Sequence, residues 1–273
     1  MDVDNLGTIF QEGLEHPTLS RYSALSRSFD YFFCGYLNKI QQDISPDNSF
    51  IIYSGGDDLF IVADWKHAIQ TAKQIRNDFK EFACQNPDFS ISGGISIIDP
   101  KYPIMKTASD SSDEESKAKK HVFGEGEFEK NSISFMNFPI NWDEEFYVIE
   151  ELKDTLCKTD LPSSFRQKAL QFWAMADSSN NPDERQRDKE RISKSHIISA
   201  DKYRIYWLMA YDLGRFMQRC EKQSESYKLI ENCKNECCSK KQQLNGKSIK
   251  TQYHPLELWA FACRWAELEL RSK

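Results

Sequence analysis

The chain has 273 residues, 40% of them hydrophobic, enough apolar surface for two modest cores; its net charge of −6 excludes a protein that holds nucleic acid through its overall field. No stretch approaches the roughly 18 apolar residues of a membrane-spanning helix, and the N-terminus carries no basic run ahead of an apolar one, so a cytoplasmic protein without a membrane partner is expected. Eight cysteines at irregular spacings, with no secretory context, read as reduced thiols rather than as a disulfide framework.

In chain order, Met1-Asp2-Val3-Asp4-Asn5-Leu6-Gly7 reads as the end of a strand entering a turn, with so little strand before it that further sequence is expected upstream. Ser20 to Ile40 places Leu25, Phe29, Phe32, Phe33, Tyr36 and Leu37 at three- and four-residue intervals, which predicts a helix. Ser49–Tyr53 and Leu59–Val62 are β-branched and aromatic runs flanking Ser54-Gly55-Gly56-Asp57-Asp58, a hairpin signal. Trp65 to Phe82 returns to helical periodicity and stops before Asn86-Pro87, Phe89 to Ile98 is strand-like around Gly93-Gly94, and Ser132 to Met136 predicts a short final strand. Ser109–Ser116, acidic and serine-rich, and Gly124–Lys130, rich in glycine and glutamate, read as mobile surface loops.

After Phe138-Pro139 strand signals vanish. Helical patterns follow in Glu145–Cys157, Ser163–Asp177, Tyr203–Tyr227 and Pro255–Leu270, while Ser178–Lys194 and Asn232–Thr251 are charged and poor in apolar residues, as loops or docking surfaces are. The expected fold class is therefore α+β: a ferredoxin-like palm, an antiparallel sheet with helices, over residues 1–139, then an all-α helical bundle over 140–273.

In such a sheet the first strand lies beside the hairpin, and Asp2 converges with Asp57 and Asp58. Three carboxylates at adjacent strand ends, next to a glycine turn that leaves backbone room for phosphates, form the hard oxygen cage that Mg²⁺ or Mn²⁺ prefers. Two ions held roughly 3.5–4 Å apart would activate a 3′-hydroxyl and stabilise a pyrophosphate leaving group. Lys117, Lys119 and Lys120 are cations able to offset triphosphate charge, Lys119 foremost, although a solvated lysine run at a helix end reads the same way. A lone Gly-Gly-Asp-Asp turn is an ordinary polar hairpin; the Asp-x-Asp-Asn-x-Gly strand end ahead of it changes that.

Taken together and in this order, MDVDNLG, SRYSALSRSFDYFFCGYLNKI, IIYSGGDDLFIVADW, ISGGISIIDPKYPI and ESKAKKH before NSISFM resemble the second palm domain of the large polymerase-like subunit of type III CRISPR effector complexes, in its III-A, Csm-type branch. The resemblance covers residues 1 to about 138 and corresponds to the C-terminal portion of that subunit; GGDEF diguanylate cyclases and class III nucleotide cyclases are more distant relatives. It implies a palm that binds ATP and two divalent ions and, once the complex holds target RNA, links ATP through 3′–5′ bonds into cyclic oligoadenylate, a second messenger of antiviral defence. By motif position it implies Asp57 and Asp58 as catalytic metal ligands, Asp2 and then Asp4 as further ligands, and Gly55, Gly56, Asn5, Ser20, Arg27, Asp30 and Lys119 as nucleotide contacts. For Ser20, Arg27 and Asp30 helix capping and surface ion pairing remain open. Small and guide-end subunits, guide RNA and target RNA are the implied partners, with residues 140–273 as the family's C-terminal helical domain. The chain carries no His-Asp pair of an HD nuclease, no first palm and no zinc module, so the family's single-stranded DNA cleavage is not carried onto it. A GGDEF cyclase would show Phe where Leu59 stands; a catalytically silent scaffold is the third reading.

Cys233, Cys237 and Cys238, with Cys220 and His254, have C-x3-C-C spacing rather than the paired spacing of structural zinc, and read as ordinary thiols. The scattered histidines support no catalytic imidazole. Trp207, Tyr211, Phe216, Trp259, Phe261 and Trp265 read as core packing, with a partner-subunit surface as the alternative, and the basic positions of Glu184–Lys194 as a solvated face with an RNA backbone as the alternative.

Overall fold

The computed structural model describes all residues except 15, 17, 124–127, 179–199, 239–242 and 272–273. The expected segment Ser178–Lys194, with its basic run, lies almost wholly outside the described residues. The chain divides into two compact units, Met1–Trp142 and Asp143–Lys273.

The first unit contains β1 (Asp2–Val3), α1 (Leu6–Glu12), α2 (Leu19–Asp30), a π-helical turn (Tyr31–Tyr36), α3 (Leu37–Ile44), β2 (Ser49–Gly55), β3 (Asp58–Ala63), α4 (Trp65–Phe82), β4 (Ile91–Ile95), α5 (Ile104–Lys119), β5 (Val122–Phe123), β6 (Phe128–Glu129), β7 (Ser132–Phe135) and β8 (Phe138–Asn141). Six strands form one sheet in the order β2-β3-β1-β4-β7-β8, antiparallel except for the β4–β7 pair, so the palm-like α+β architecture is present. Phe29, Phe32, Phe33, Leu37 and Ile40 from the long helical segment meet Ile75 and Phe79 of α4 and Val3, Leu59 and Ile91 of the sheet in a single apolar cluster. The predicted helix through Ile40 is present and runs on through the π turn, whose wider winding shifts the phase of the apolar face.

Three expectations are corrected here. Ser109–Ser116 is the middle of α5, not a loop: Thr107, Glu114 and Ala118 are buried, and Gly94 lets the helix backbone approach the sheet. Part of Gly124–Lys130 is strand, with Phe128 and Glu129 pairing to Phe123 and Val122. Strand structure also continues past Phe138-Pro139, because β8 is an edge strand, where proline's missing N–H is tolerated.

A π-helical turn (Trp142–Phe146) begins on the last residue of the first unit, and the second continues with α6 (Tyr147–Lys158), α7 (Ser163–Ser178), α8 (Ala200–Arg219), α9 (Glu225–Cys237), a hairpin of β9 (Gln243–Leu244) and β10 (Lys247–Ser248), and α10 (Pro255–Arg271). Trp259, Phe261 and Trp265 of α10 are buried, as the helical spacing predicts, and Phe216 joins them at 8% exposure. Trp207 and Tyr211 do not, standing 76% and 63% exposed on the outer side of α8.

The predicted helix Tyr203–Tyr227 is two helices. Ser224 caps the second, its hydroxyl accepting from Tyr227 N at 3.1 Å, and Gln223 adopts a left-handed φ of 74° ahead of it. Ser224→Ala should cost about 1 kcal/mol in chemical denaturation, the usual value of a lost N-cap. The described residues of Asn232–Thr251 include the end of α9 and the β9–β10 hairpin rather than loop alone. The buried carboxylate of Glu236 accepts from Asn245 N at 2.9 Å, Gly246 N at 2.6 Å and Trp259 Nε1 at 2.8 Å, which fixes the hairpin turn.

The eight cysteines are thiols rather than halves of disulfides. Cys233 and Cys237 lie buried on α9, and the contact with Cys237, together with burial, holds the Cys233 thiol well above its ordinary pKa. His254 accepts from Leu256 N through Nδ1 at 3.2 Å, which leaves Nε2 to donate to Tyr206 Oη, also at 3.2 Å. Burial lowers its pKa below 6.5. The neutral ring is therefore the native form, and its stabilising contribution is present above pH 6.5 and lost as pH falls through the lowered value. His254→Asn keeps an acceptor near Nδ1 without a titrating ring, so the midpoint of thermal unfolding should lose part of its fall between pH 7 and about pH 5.

Candidate active site

β1 sits between β3 and β4, and alternation along it sends Val3 into the core and Asp2 to the opposite face. The register sets Asp2 opposite Asp58. Backbone bonds tie the strand end to the hairpin: Val3 N donates to Asp57 O at 3.1 Å and Leu59 N to Met1 O at 3.0 Å. Gly55 pairs with Asp58, so the hairpin loop is Gly56 and Asp57 alone. Gly56 has φ +68°, a conformation that strains any residue with a Cβ.

Asp2, Asp57 and Asp58 thus meet at neighbouring strand ends and line one end of a cavity of about 680 Å³ whose walls come from β3, α4, β4 and α5. Asp57 is half-buried. Burial first, and then the negative charges of Asp2 and Asp58, hold its carboxyl above the ordinary value. Asp58 is exposed and, as the main cause, raises the Tyr53 phenol pKa.

Lys119 reaches the cluster from the last turn of α5. It pairs with Asp2 and with Glu115 Oε1, the latter at 2.9 Å. Burial works against its charge, yet hydrogen bonds to Asp2 and Glu115 prevail and push its pKa up to about 12. Lys117 turns elsewhere, to Glu114 at 2.6 Å and to Asn137. Sequence reasoning missed Glu115. Its signal was the Glu115–Lys119 spacing of four, legible only once this segment is read as a helix.

Asp4 stands apart from the cavity. It is 1% exposed, and Oδ2 accepts from Ser90 Oγ at 2.7 Å, Ser92 Oγ at 2.9 Å and Asn131 N at 3.1 Å; burial nevertheless raises its pKa. Its Oδ1 has no hydrogen-bond partner among the described residues. Asn5 takes a left-handed φ of 57° at the start of α1 and accepts from Lys130. Ser20, Arg27 and Asp30 are on the exposed side of α2, outside the cavity lining, with Arg27 Nε donating to Ser23 O at 3.3 Å.

Among the described residues, no group of three or more His, Cys, Asp or Glu side chains is arranged to hold a metal ion, at the hairpin or at Cys233, Cys237 and Cys238. The donor chemistry at the hairpin nonetheless fits a hard divalent cation: the carboxylates crowd one another enough to raise Asp57, and Asp2 is neutralised by a lysine.

The sheet order, the tight turn carrying paired aspartates and a third aspartate in register beside them define a palm-type domain. Residues 1–133 match the family model of the Cas10/Cmr2 second palm domain and are similar to that family over this span. The chain is 37% identical over 159 residues to the CRISPR system single-strand-specific deoxyribonuclease Cas10/Csm1 (subtype III-A) of Methanocaldococcus jannaschii, a match covering 52% of this chain and 20% of that protein. The Mycobacterium tuberculosis protein of the same name is 33% identical over 163 residues, covering 53% of this chain and 19% of its own length. The matches thus span about a fifth of these relatives.

Among solved structures, a Csm1–Csm4 cassette in complex with cA4 has a TM-score of 0.63 at 20% identity, over 98% of this chain and 35% of that one. Csm1 from T. onnurineus has a TM-score of 0.52 at 20% identity, over 97% and 37%. These likenesses establish the fold. Among the described residues no helix is long and apolar enough to cross a membrane.

Proposed function

We propose that this chain is the C-terminal part of the large subunit of a cytoplasmic type III-A CRISPR effector complex, and that its palm joins ATP into cyclic oligoadenylate when the complex holds target RNA. The placement of Asp2 in register with Asp58, beside Asp57, carries this reading. The solved relatives give it context, since Csm1–Csm4 cassettes of similar fold were solved with AMPPNP, with pppApA and with cA4. A subunit corresponding to Csm4, small subunits, guide RNA and target RNA are the partners this reading assigns.

Asp2, Asp57 and Asp58 would hold two Mg²⁺ or Mn²⁺ ions, with Asp4 at most supporting the strand end from its serine pocket. When bound, such ions lower the pKa of an attacking 3′-hydroxyl and stabilise pyrophosphate as it leaves. The chain's own residues supply position. Gly56 keeps backbone and open space at the turn, where a Cβ would meet nothing within 4 Å, so a triphosphate can lie close. Lys119 is a permanent cation at the same end of the cavity, able to exchange its hold on Asp2 for a phosphate oxygen.

The test is product analysis with the reconstituted complex, manganese and radiolabelled ATP or GTP, with and without target RNA. Linked adenylates made only with target RNA support the proposal. A GTP-derived cyclic dinucleotide would mark a GGDEF-type cyclase, and no product from either nucleotide would leave a scaffold.

A further inference from the structure

The outer side of α8 carries Arg204, Leu208, Tyr211, Arg215 and Arg219 at three- and four-residue steps, with Trp207 beside Leu208, so that they form one stripe. Among the described residues Trp207 and Tyr211 are the exposed aromatics of the second unit, where Trp259 and Trp265 are buried and Trp173 is half-buried. The Arg215 guanidinium lies 5.8 Å from the Tyr211 ring centroid, a cation–π contact that holds both side chains in place. Among the described residues, Arg204, Arg215 and Arg219 form no ion pair, although the chain as a whole is acidic.

Beside the stripe, between α7 and α8, runs an open groove of about 300 Å³. Gln167, Lys168 and Gln171 line it from α7, and Asp212, Arg215 and Arg219 from α8. Its one carboxylate is already engaged, with Lys168 Nζ 3.1 Å from Asp212 Oδ2. What remains is a row of guanidinium and amide donors facing solvent, next to the exposed ring of Trp207 and the ring of Tyr211, which meets Arg215.

We propose that this groove and stripe bind a single-stranded polynucleotide, with phosphates along Arg215, Arg219 and the glutamine amides and bases stacked on Trp207 and Tyr211. Charge complementarity selects this occupant. An acidic peptide would use the arginines and leave the rings idle. An apolar helix would cover the rings and bury three guanidinium groups without partners, which is costly. A sugar–phosphate strand uses both, since every base offers a π-face and every residue a charge. The inference concerns the second unit and stands apart from the palm chemistry.

The experiment is fluorescence anisotropy of the full chain with labelled single-stranded RNA, DNA of the same sequence, duplex RNA and a polyglutamate peptide, over a salt series. Binding of single strands, RNA alone or RNA and DNA together, is expected to weaken about tenfold in Trp207→Ala and to show a shallower salt dependence in Arg215→Glu, Arg219→Glu, the logarithmic slope falling by about 1.4 for two lost phosphate contacts. All three positions are exposed, so thermal unfolding should match the parent chain and separate lost binding from lost fold. Equal binding of polyglutamate, indifference to Trp207→Ala or no binding of single strands each overturns the proposal.

Discussion

An Asp57→Ala, Asp58→Ala variant, assembled in the complex with target RNA, is expected to lose product formation by on the order of 10³-fold while folding normally. The hairpin does not need these carboxylates. Gly56 sets the turn, the β2–β3 register holds it, and Asp57 and Asp58 project toward the cavity rather than into the core. Removing them relieves repulsion, because Asp57 is raised by burial and by its like-charged neighbours. Thermal unfolding should therefore stay within about 0.5 kcal/mol of the parent or rise. Undiminished product from labelled ATP would move the chemistry away from this turn.

Gly94→Ala should be the most damaging small substitution in the palm. An added Cβ would sit 2.2 Å from Glu115 N and 2.4 Å from Ser111 O, both backbone atoms of α5. Neither can rotate aside, so the helix must lift, at a cost of about 3 kcal/mol or more. α5 also carries Lys119 and Glu115 to Asp2, and the shift should lower activity in protein that is still folded. Gly93→Ala is the control: its Cβ would meet the Met1 side chain at 2.6 Å, a flexible neighbour that can move. Equal denaturation midpoints for the two variants would show that α5 is not seated on Gly94.

Why the palm was legible and its surroundings were not follows from what each segment buries. β2, β3 and α4 declare themselves because period-two and period-3.6 apolar patterns flank a turn that only glycine makes easily. α5 hides because it buries Thr107, Glu114 and Ala118 rather than leucines, and its contact is with a glycine on a distant strand, invisible to local periodicity. β8 was obscured by Pro139, read as a terminator where an edge strand tolerates it. In the second unit, spacing alone could not separate Trp259 from Trp207: both lie on helical repeats, and only packing decides which face is covered.

Within the candidate site the convergence of Asp2 with Asp57 and Asp58 was recoverable by motif, since the register of β1 against β3 follows from the β-α-β-β order. The separation of Asp2 from Asp4 was not. Two residues apart on an ideal strand they would share a face and a fate, but the strand ends at Val3, and Asp4 turns into the pocket of Ser90, Ser92 and Asn131.

The position of β1 also bears on how the chain is made. A strand of two residues occupies the middle of the sheet, and its partners are Asp58 on one side and Ile91 and Ser92 on the other. On a ribosome its first partner, β3, follows some fifty-five residues later and its second, β4, some ninety, so β1 is held on both sides only after most of the palm has been made. A truncated or stalled product ending before β4 would carry all three aspartates but would hold β1 along one edge only.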